Sequence, residues 1–331
     1  MNAVAETEPR EGRQHVARRP DAIAAVPVRH WGRWIGATIV VYLLVALIFS
    51  FIHSPNLDWP TVWEYLFKPL TLMGVARTIE LTFLCMTVGA VGGVMMAVMR
   101  LSDNPVLSWI AWGYIWFFRG TPVYVQIILW GNIGVLWTKF YAGLPFTGLV
   151  IGSASSGQLT NNLFVVAILA LGLNEAAYAA ELVRAGIISV DAGQTEAASS
   201  LGMSPMLTMR RIVLPQAMRV IIPTFGNETI GLLKTTSLLA VLGGGVELFS
   251  RMQQIYAQTF QIIPLLVVAC IWYLVVTSIL TVGQARLEAY FGKGFGEKET
   301  EQAEKRTAKR MLRAAGMQTA GEISHGNEGR R

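Results

Sequence analysis

Long runs of apolar residues place the strongest constraint on the fold of this chain. Runs of 18 to 23 mainly apolar residues recur along the 331-residue sequence, and about 20 such residues span the hydrocarbon core of a membrane as a helix. Only 15% of the residues carry a charge, whereas a soluble domain has about 25%. The sequence therefore predicts an all-α, polytopic transmembrane helical bundle. About six spans are expected, in the segments 35–52, 78–99, 106–137, 163–183, 220–242 and 262–282.

The basic residues are divided unequally between the two sides of such a bundle. Of 27 lysines and arginines, 21 lie on the side of the N-terminus, whereas the opposite side has only Lys68, Lys139 and Arg251. Because loops rich in lysine and arginine stay in the cytoplasm, we expect both ends of the chain there. The expected tails are residues 1–34 and 296–331, and the second is partly disordered because it is highly charged and nearly free of aromatic residues.

The excess of basic residues indicates the membrane topology of the chain rather than binding to nucleic acid. The formal net charge of +6 arises in the extramembrane segments, so no nucleic acid is expected as a partner. The basic cluster 305–313 in the second tail could contact anionic membrane lipid instead. The sequence contains no HExxH or CxxC spacing, and no metal site is expected.

The third apolar run is interrupted in its middle by Arg119, Gly120, Thr121 and Pro122. Glycine and proline do not continue a helix well. Non-helical backbone at membrane depth is tolerated only where protein or water covers it. We therefore expect this break to face the interior of the bundle or a water-filled cavity.

The cytoplasmic connection 184–219 has the composition of short helices rather than that of a linker. Asp191 can cap a helix that Gly202 ends, and Ser204 followed by Pro205 can begin a second helix. The second helix is expected to stop near Pro215, because a proline disfavours a helical residue before it. Two short helices against a membrane face would form a projection suited to a binding partner.

This connection also contains a complete motif. Residues 196–198 read Glu-Ala-Ala, Gly202 follows after three further residues, and residues 212–215 read Ile-Val-Leu-Pro after nine more. The pattern EAA-x3-G-x9-I-x-L-P resembles the cytoplasmic signature loop of the permeases of ATP-binding-cassette (ABC) importers. Segments 177–187 and 234–238, together with the break in the third run, resemble the polar amino-acid branch of those permeases.

The resemblance covers about residues 70–290 and implies a type I ABC importer fold, with 35–52 as an additional N-terminal helix. It implies a permease subunit of an ATP-driven importer of a polar amino acid in the cytoplasmic membrane of a prokaryote. Such a subunit is not an enzyme and binds no cofactor. In the family, a separate cytoplasmic ATPase binds ATP and magnesium, a solute-binding protein acts outside the cell, and a second permease subunit completes the pore. Within the loop 190–216, the residues expected to couple to the ATPase are Glu196, Ala197, Ala198, Gly202, Ile212, Leu214 and Pro215.

Ionisable residues in the fourth span are candidates for a solute path, because a charge inside a membrane is costly. Asn174, Tyr178 and Glu181 lie on one helix face, with Glu175 about 100° away. Glu181 is followed three residues later by Arg184, so an ion pair within the helix is an equal alternative for that residue. Asn174, Glu175 and Tyr178 are therefore the better candidates.

The fifth span carries a second polar stripe. Asn227 and Lys234 are seven residues apart and lie nearly above one another on a helix. The stripe could line the solute path, or it could hold neighbouring helices together, as polar residues often do in membranes. Lys234 could also neutralise Glu80, Glu175 or Glu228 from another helix.

Arg119 in the break also has two possible roles. Its guanidinium could bind a solute carboxylate through two parallel hydrogen bonds, or it could satisfy carbonyl groups of the break. Arg119 and Glu175 together would match the carboxylate and the ammonium of an amino acid. The sequence leaves acidic, basic and amidated amino acids open as solutes. A rival function is an ATP-independent carrier or channel with a proton relay of Glu80, Glu175 and Lys234, which the complete EAA motif disfavours.

Overall fold

The structure is a computed structural model that describes residues 31–143, 150–157 and 162–291. The expected tail 296–331 and most of the expected tail 1–34 lie outside the described residues.

The chain divides into two units, residues 1–55 and 56–331. In the first unit, helix α1 (Trp31–Ile52) is long and apolar enough to cross a membrane. It begins at Trp31, one turn before the expected segment 35–52. The turn at residues 31–34, which contains Arg33, is therefore helical as well.

The second unit consists of helices of very different length, connected by short segments. Its elements in chain order are α2 (Trp59–Leu66), α3 (Pro69–Arg100), α4 (Pro105–Gly120), α5 (Val123–Gly131), α6 (Ile133–Leu136), strands β1 (Lys139–Gly143) and β2 (Val150–Ser155), α7 (Leu163–Ile188), α8 (Ala192–Ser200), α9 (Pro205–Thr208), a π-helical turn (Met209–Val213), α10 (Leu214–Thr235), a 3-10 helix (Thr236–Leu242), α11 (Leu248–Thr259) and α12 (Ile262–Phe291).

The predicted helical membrane bundle is confirmed, but the predicted spans differ in length, in apolar character and in whether one helix forms them. Among the described residues, α1, α3, α7 and α12 are long and apolar enough to span a membrane. The third predicted span is divided into α4 and α5, which are 16 and 9 residues long. The fifth corresponds to α10 and the 3-10 helix after it, and the charged residues of α10 make this segment less apolar.

An antiparallel pair of strands was not expected from the sequence. β1 pairs with β2, with Lys139 opposite Ser155 and Tyr141 opposite Ser153. The hairpin lies between α6 and α7 and outside the predicted spans. This short segment is a local exception within the all-α fold, where tyrosine, phenylalanine, valine and isoleucine favour extended backbone.

The central contact of the second unit is the packing of α3 against α7, which meet along much of their lengths. Two glycines of α3 make this close approach possible. A Cβ atom on Gly93 would lie 2.9 Å from the backbone carbon of Ala179, and one on Gly89 would collide with the side chain of Glu175. Small residues allow such close packing in membranes, where lipid gives helices little hydrophobic reason to associate.

A second core joins the short helices α2 and α11 to α12. Val62, Leu248 and Met252 are completely or almost completely buried in it. The indole N–H of Trp272 donates a hydrogen bond of 2.8 Å to the carbonyl oxygen of Leu66, at the end of α2. This bond satisfies one of the carbonyl groups that every helix leaves free at its C-terminus.

Candidate functional site

The break between α4 and α5 is built around Pro122. Because proline has no N–H, the carbonyl of Phe118 one turn earlier loses its normal helical partner. The side-chain amides of Gln126 and Asn174 replace that partner, donating to the Phe118 oxygen over 2.8 and 3.1 Å. Asn174 also donates to the side-chain oxygen of Gln126 over 3.1 Å. Asn174 of α7 thus holds the break in position.

The break forms one wall of a cavity of about 520 Å³, which we call the first cavity. α7 and α10 contribute the other walls. Four of the residues predicted for a solute path line this cavity, namely Arg119, Asn174, Glu175 and Tyr178. Glu228, which the sequence suggested only as a partner for Lys234, lines it as well. The complete lining is Arg119, Gly120, Thr121, Pro122, Val123, Leu171, Asn174, Glu175, Tyr178, Glu228, Gly231, Leu232 and Thr235.

Glu175 is the most enclosed charged residue of the first cavity. Only 4% of its surface is exposed, and its Oε1 atom accepts no hydrogen bond from any described residue. Glu247, also buried, differs in this respect. Its carboxylate caps α11 and accepts the backbone N–H groups of Phe249 and Ser250 over 2.6 and 2.7 Å. Glu247 is therefore structurally satisfied, whereas Glu175 has an acceptor to spare.

Arg119 lies at the edge of the first cavity. The carbonyls of Phe118 and Thr121 accept hydrogen bonds from the side chain of Gln126 instead. The guanidinium carbon of Arg119 lies 5.2 Å from the centre of the Tyr178 ring, within the range of a cation–π interaction. This contact places the guanidinium beside the ring.

A second cavity of about 560 Å³ begins on the other side of Arg119 and Tyr178, which line both cavities. It extends toward the C-terminal ends of α3 and α7, and α7 leads into the loop of the EAA motif. The ion pair expected between Glu181 and Arg184 is present in its wall, with 2.7 Å between Oε2 and Nη2. The lining is Arg100, Trp112, Ile115, Trp116, Arg119, Gly120, Tyr178, Glu181 and Arg184.

Asn227 and Lys234, the other two residues predicted for a solute path, do not line the first cavity. The side-chain amide of Asn227 donates to Glu288 of α12 over 3.1 Å, and Lys234 is exposed. Their neighbours Glu228 and Thr235 line the cavity instead, because one position along a helix changes the direction by about 100°. The polar residues of α10 that line the first cavity are thus one position further along the helix than Asn227 and Lys234.

Lys234 forms no ion pair with Glu80, Glu175 or Glu228 within the described part of the chain. Glu80 pairs instead with Arg77 of its own helix, with 2.5 Å between the charged atoms.

Helix α8 carries the EAA motif and begins and ends as the sequence predicts. The carboxylate of Asp191 accepts the N–H of Gly193 over 2.7 Å. At the other end Gly202 has a φ of +78°, and the N–H groups of Gly202 and Met203 donate to the carbonyls of Ser199 and Ala198. These two bonds form a Schellman motif, which requires the left-handed backbone that glycine adopts most easily.

The residues of the motif are not equally accessible. Glu196, Ala197 and Gly202 are exposed, but only 4% of Ala198 is exposed. Ala198 therefore packs on its own chain, and of the two alanines only Ala197 is accessible to a partner. Leu201 and Met206 are 83% and 77% exposed, and neither is among the residues predicted to couple to the ATPase. Large apolar side chains beside a motif in a loop that is expected to project are the signal that could have identified them.

The second helix of the loop, which was expected to stop near Pro215, does not stop there. After α9, the chain continues through the π-helical turn, in which the N–H of Leu214 donates to the carbonyl of Met209, five residues earlier. Pro215 then occupies the first turn of α10. In a regular helix, the missing N–H of Pro215 would leave the carbonyl four residues earlier without its partner. The wider π turn pairs an N–H with the carbonyl five residues earlier, so it accommodates a proline that a regular helix would not. Ile212, Leu214 and Pro215 therefore connect the loop directly to α10.

The described residues form a helical membrane bundle with a polar cavity and with an exposed loop that carries the EAA motif. The chain belongs to the family described as "Binding-protein-dependent transport system inner membrane component", whose profile matches residues 89–291. The predicted family resemblance is confirmed.

Named relatives agree with this assignment. The arginine transport system permease protein ArgU of Corynebacterium glutamicum is 48% identical over 276 residues, which are 83% of this chain and 85% of ArgU. The arginine transport system permease protein ArtQ of Bacillus subtilis is 33% identical over 70% of this chain and 95% of its own. A crystal structure of an amino acid ABC transporter with histidines is 32% identical, with a TM-score of 0.60 over 71% of this chain and 99% of that one.

Proposed function

We propose that this permease subunit of an ABC amino-acid importer carries a basic amino acid through the first cavity. Two relatives named as arginine permeases support this proposal. The importer would include a cytoplasmic ATPase that binds ATP and magnesium, an extracytoplasmic solute-binding protein and a second permease subunit. Both ends of the chain would lie in the cytoplasm, as the distribution of basic residues favours.

The observation that carries this proposal is the unpaired carboxylate oxygen of Glu175 in the wall of the first cavity. A buried polar group without a partner costs free energy unless a ligand supplies one. In membrane proteins, such a group marks a substrate pathway by default. A cation from the solute would supply the missing partner.

The formal charges of the first cavity also match a basic amino acid. The lining contains two carboxylates, Glu175 and Glu228, and one guanidinium, Arg119. A basic amino acid has the complementary set, which is one carboxylate and two cationic groups. Arg119 would bind the carboxylate of the solute through its planar fork, and the two glutamates would neutralise the ammonium and the cationic side chain.

Asn174 and Tyr178 would act through other groups in this arrangement. The amide of Asn174 is already occupied by the break, so it would position Arg119 by holding the end of α4. The ring of Tyr178 would orient the guanidinium of Arg119. No role in the path is proposed for Asn227 and Lys234.

We further propose that the ATPase binds the exposed surface of the EAA loop. Glu196, Ala197 and Gly202 would contact it, together with the apolar side chains of Leu201 and Met206. Ala198 would support the loop from inside. Because Ile212, Leu214 and Pro215 lead without interruption into α10, a movement of the loop would reach Glu228 in the first cavity along a single helix.

Uptake by the reconstituted importer tests the proposed solute. Purified permease, its ATPase and its solute-binding protein in liposomes should take up arginine and lysine in preference to glutamine and glutamate. Glu228→Gln should reduce arginine uptake by about tenfold, since a hydrogen bond to a charged group contributes about 1.5–3 kcal/mol. Glu80→Gln, which removes a membrane carboxylate outside both cavities, serves as the matched control. Uptake restricted to neutral amino acids would contradict the proposal, and uptake driven by a proton gradient without ATPase would support the rival carrier.

Co-purification tests the proposed docking surface. Leu201→Asp should release the ATPase from the detergent-solubilised permease, because a charge would enter an apolar interface. Gly202→Trp should also release it while leaving membrane insertion intact. Leu101→Asp, an equally polar change at an exposed leucine outside the loop, should retain the ATPase. Normal co-purification and uptake by both loop variants would refute the docking assignment.

A further inference from the structure

The two cavities share a boundary at Arg119 and Tyr178, which line both. The first cavity lies against the break and the middle of α7. The second lies toward the C-terminal ends of α3 and α7, where Arg100 is the last residue of α3 and Arg184 is in the last turns of α7. A solute that leaves the first cavity past Tyr178 in the direction of the EAA loop would therefore enter the second cavity.

The formal charges of the two cavities have opposite signs. In the first cavity, Glu175 and Glu228 outnumber Arg119, which leaves one net negative charge. The second cavity is lined by three arginines and by one carboxylate, that of Glu181, so its net formal charge is +2. A cationic solute would thus move from attractive surroundings into repulsive ones within the length of one helix.

Arg100 lines only the second cavity, and no carboxylate pairs with its positive charge among the described residues. Arg184 is neutralised by Glu181 over 2.7 Å, and Arg119 belongs to the boundary. Among the described residues, the guanidinium of Arg100 donates to the hydroxyl of Ser108 over 2.9 Å, which is a neutral acceptor. Arg100 is half-buried at the end of α3, so water screens its charge less than that of an exposed residue.

From this arrangement we infer that the second cavity is the release compartment of the permease and that Arg100 lowers its affinity for a basic amino acid. This inference rests on the proposed transport of a basic amino acid. Positive charge at the release side speeds departure of a cationic solute and opposes its return from the cytoplasm. Arg100 therefore favours release of a cationic solute through its charge, without forming part of the solute site in the first cavity.

Inhibition by solute on the release side measures this property directly. Liposomes containing the complete importer are loaded with ATP and with graded concentrations of unlabelled arginine. Labelled arginine and the solute-binding protein are added outside, and the initial uptake rate is recorded. The quantity of interest is the luminal arginine concentration that halves this rate.

Arg100→Gln should lower that half-inhibiting concentration by about fivefold, as expected for the loss of one unit charge at a distance of about 8 Å in partly screened surroundings. Arg100→Lys retains the charge and should behave like the wild type. Ser108→Ala removes the hydrogen bond but not the charge, and it should also behave like the wild type. Glu181→Gln removes the negative charge of the second cavity and should raise the half-inhibiting concentration.

The outcomes separate this inference from the proposed function. Failure of the wild-type importer to take up arginine would contradict the proposed function itself. Arginine uptake with equal luminal inhibition in Arg100→Gln and the wild type would overturn the inference alone, as would a Ser108→Ala variant that reproduces the effect of Arg100→Gln. If Arg100→Gln does not reach the membrane, the opposite shift expected for Glu181→Gln decides the question, and a shift in the other direction or none would overturn the inference.

Discussion

The two faces of helix α7 differ sharply in how closely they are packed. The face toward α3 has no room for one additional methyl group at the level of Ala179. The opposite face carries Asn174, Tyr178 and Glu181 and lines two cavities that together enclose more than 1,000 Å³, of about 520 and 560 Å³ each. One helix therefore provides both a closely packed face and a polar face that lines two cavities.

This difference indicates how a membrane bundle can keep polar groups in a cavity without losing its shape. The packed face holds α7 against α3, so the polar face does not need to contribute to packing. Glu175 connects the two faces, because its side chain contacts Gly89 of α3 and also lines the first cavity. The close packing thereby directs an unpaired carboxylate into the cavity.

Gly93→Val tests the packed face and is expected to have the largest effect, which is loss of the folded subunit. The added Cβ atom would lie 2.9 Å from the backbone carbon of Ala179 and 2.9 Å from the backbone nitrogen of Ala180. Overpacking costs about 1–3 kcal/mol where side chains can adjust, but backbone atoms cannot move aside unless the helices separate. Yield and melting temperature of the purified subunit measure the effect. Gly113→Val, where a Cβ would meet no atom within 4 Å, is the control, and equal melting temperatures would show that the packed face has spare room.

Glu175→Gln tests the open face at its most enclosed charge. We expect arginine uptake to fall by at least about tenfold, while the melting temperature stays the same or rises, because the change removes an unsatisfied buried charge. Arg119→Lys should impair uptake in the same way, since lysine lacks the planar fork. Glu247→Gln should lower the melting temperature instead, because that carboxylate caps α11 with both oxygens. Normal uptake by Glu175→Gln and Arg119→Lys would show that these two residues have structural roles.

Asn174→Ala tests the connection between α7 and the break. The substitution removes two hydrogen bonds of 3.1 Å and should lower the free energy of unfolding by about 1–2 kcal/mol. Uptake should fall by a smaller factor than in Glu175→Gln. Asn132→Ala, which removes an exposed bond to the carbonyl of Ile128, is the control for thermal unfolding. If both variants unfold at the same temperature, the break does not depend on Asn174.

Tyr178→Phe should have the smallest effect. The ring that lies beside Arg119 is retained, and only the hydroxyl group is lost, so the uptake rate should change by less than about twofold. Tyr178→Leu removes the cation–π contact, which contributes about 0.5–2 kcal/mol, and should reduce the rate further. A larger loss in Tyr178→Phe than in Tyr178→Leu would mean that the hydroxyl rather than the ring acts on the solute.

The sequence predicted those features that depend on spacing within one helix. The placement of Asn174, Glu175 and Tyr178 beside one cavity, the ion pair of Glu181 with Arg184, and the helix limits at Asp191 and Gly202 all follow from helical periodicity or capping chemistry. The position of the break followed from Gly120 and Pro122, because these residues interrupt helices locally.

Features that depend on packing between helices did not follow from the sequence. The choice of Glu228 rather than Asn227 depends on the rotation of α10 about its own axis, which its neighbours set. The role of Gln126 required knowing that Pro122 leaves the carbonyl of Phe118 without a partner. The π turn before Pro215 and the burial of Ala198 depend on how the loop lies on the rest of the unit, which no local pattern specifies.

Direct binding of arginine and of citrulline to the permease–ATPase complex, without the solute-binding protein, tests the charge match of the first cavity. Citrulline has nearly the shape of arginine but a neutral side chain, so their affinity ratio isolates the contribution of the second cation. We predict that the wild type binds arginine at least about tenfold more tightly, equivalent to about 1.4 kcal/mol, and that one of the variants Glu175→Gln and Glu228→Gln abolishes this preference while retaining citrulline binding. Equal affinities for the two solutes in the wild type, or an unchanged ratio in both variants, would contradict the assignment of the first cavity to a basic amino acid.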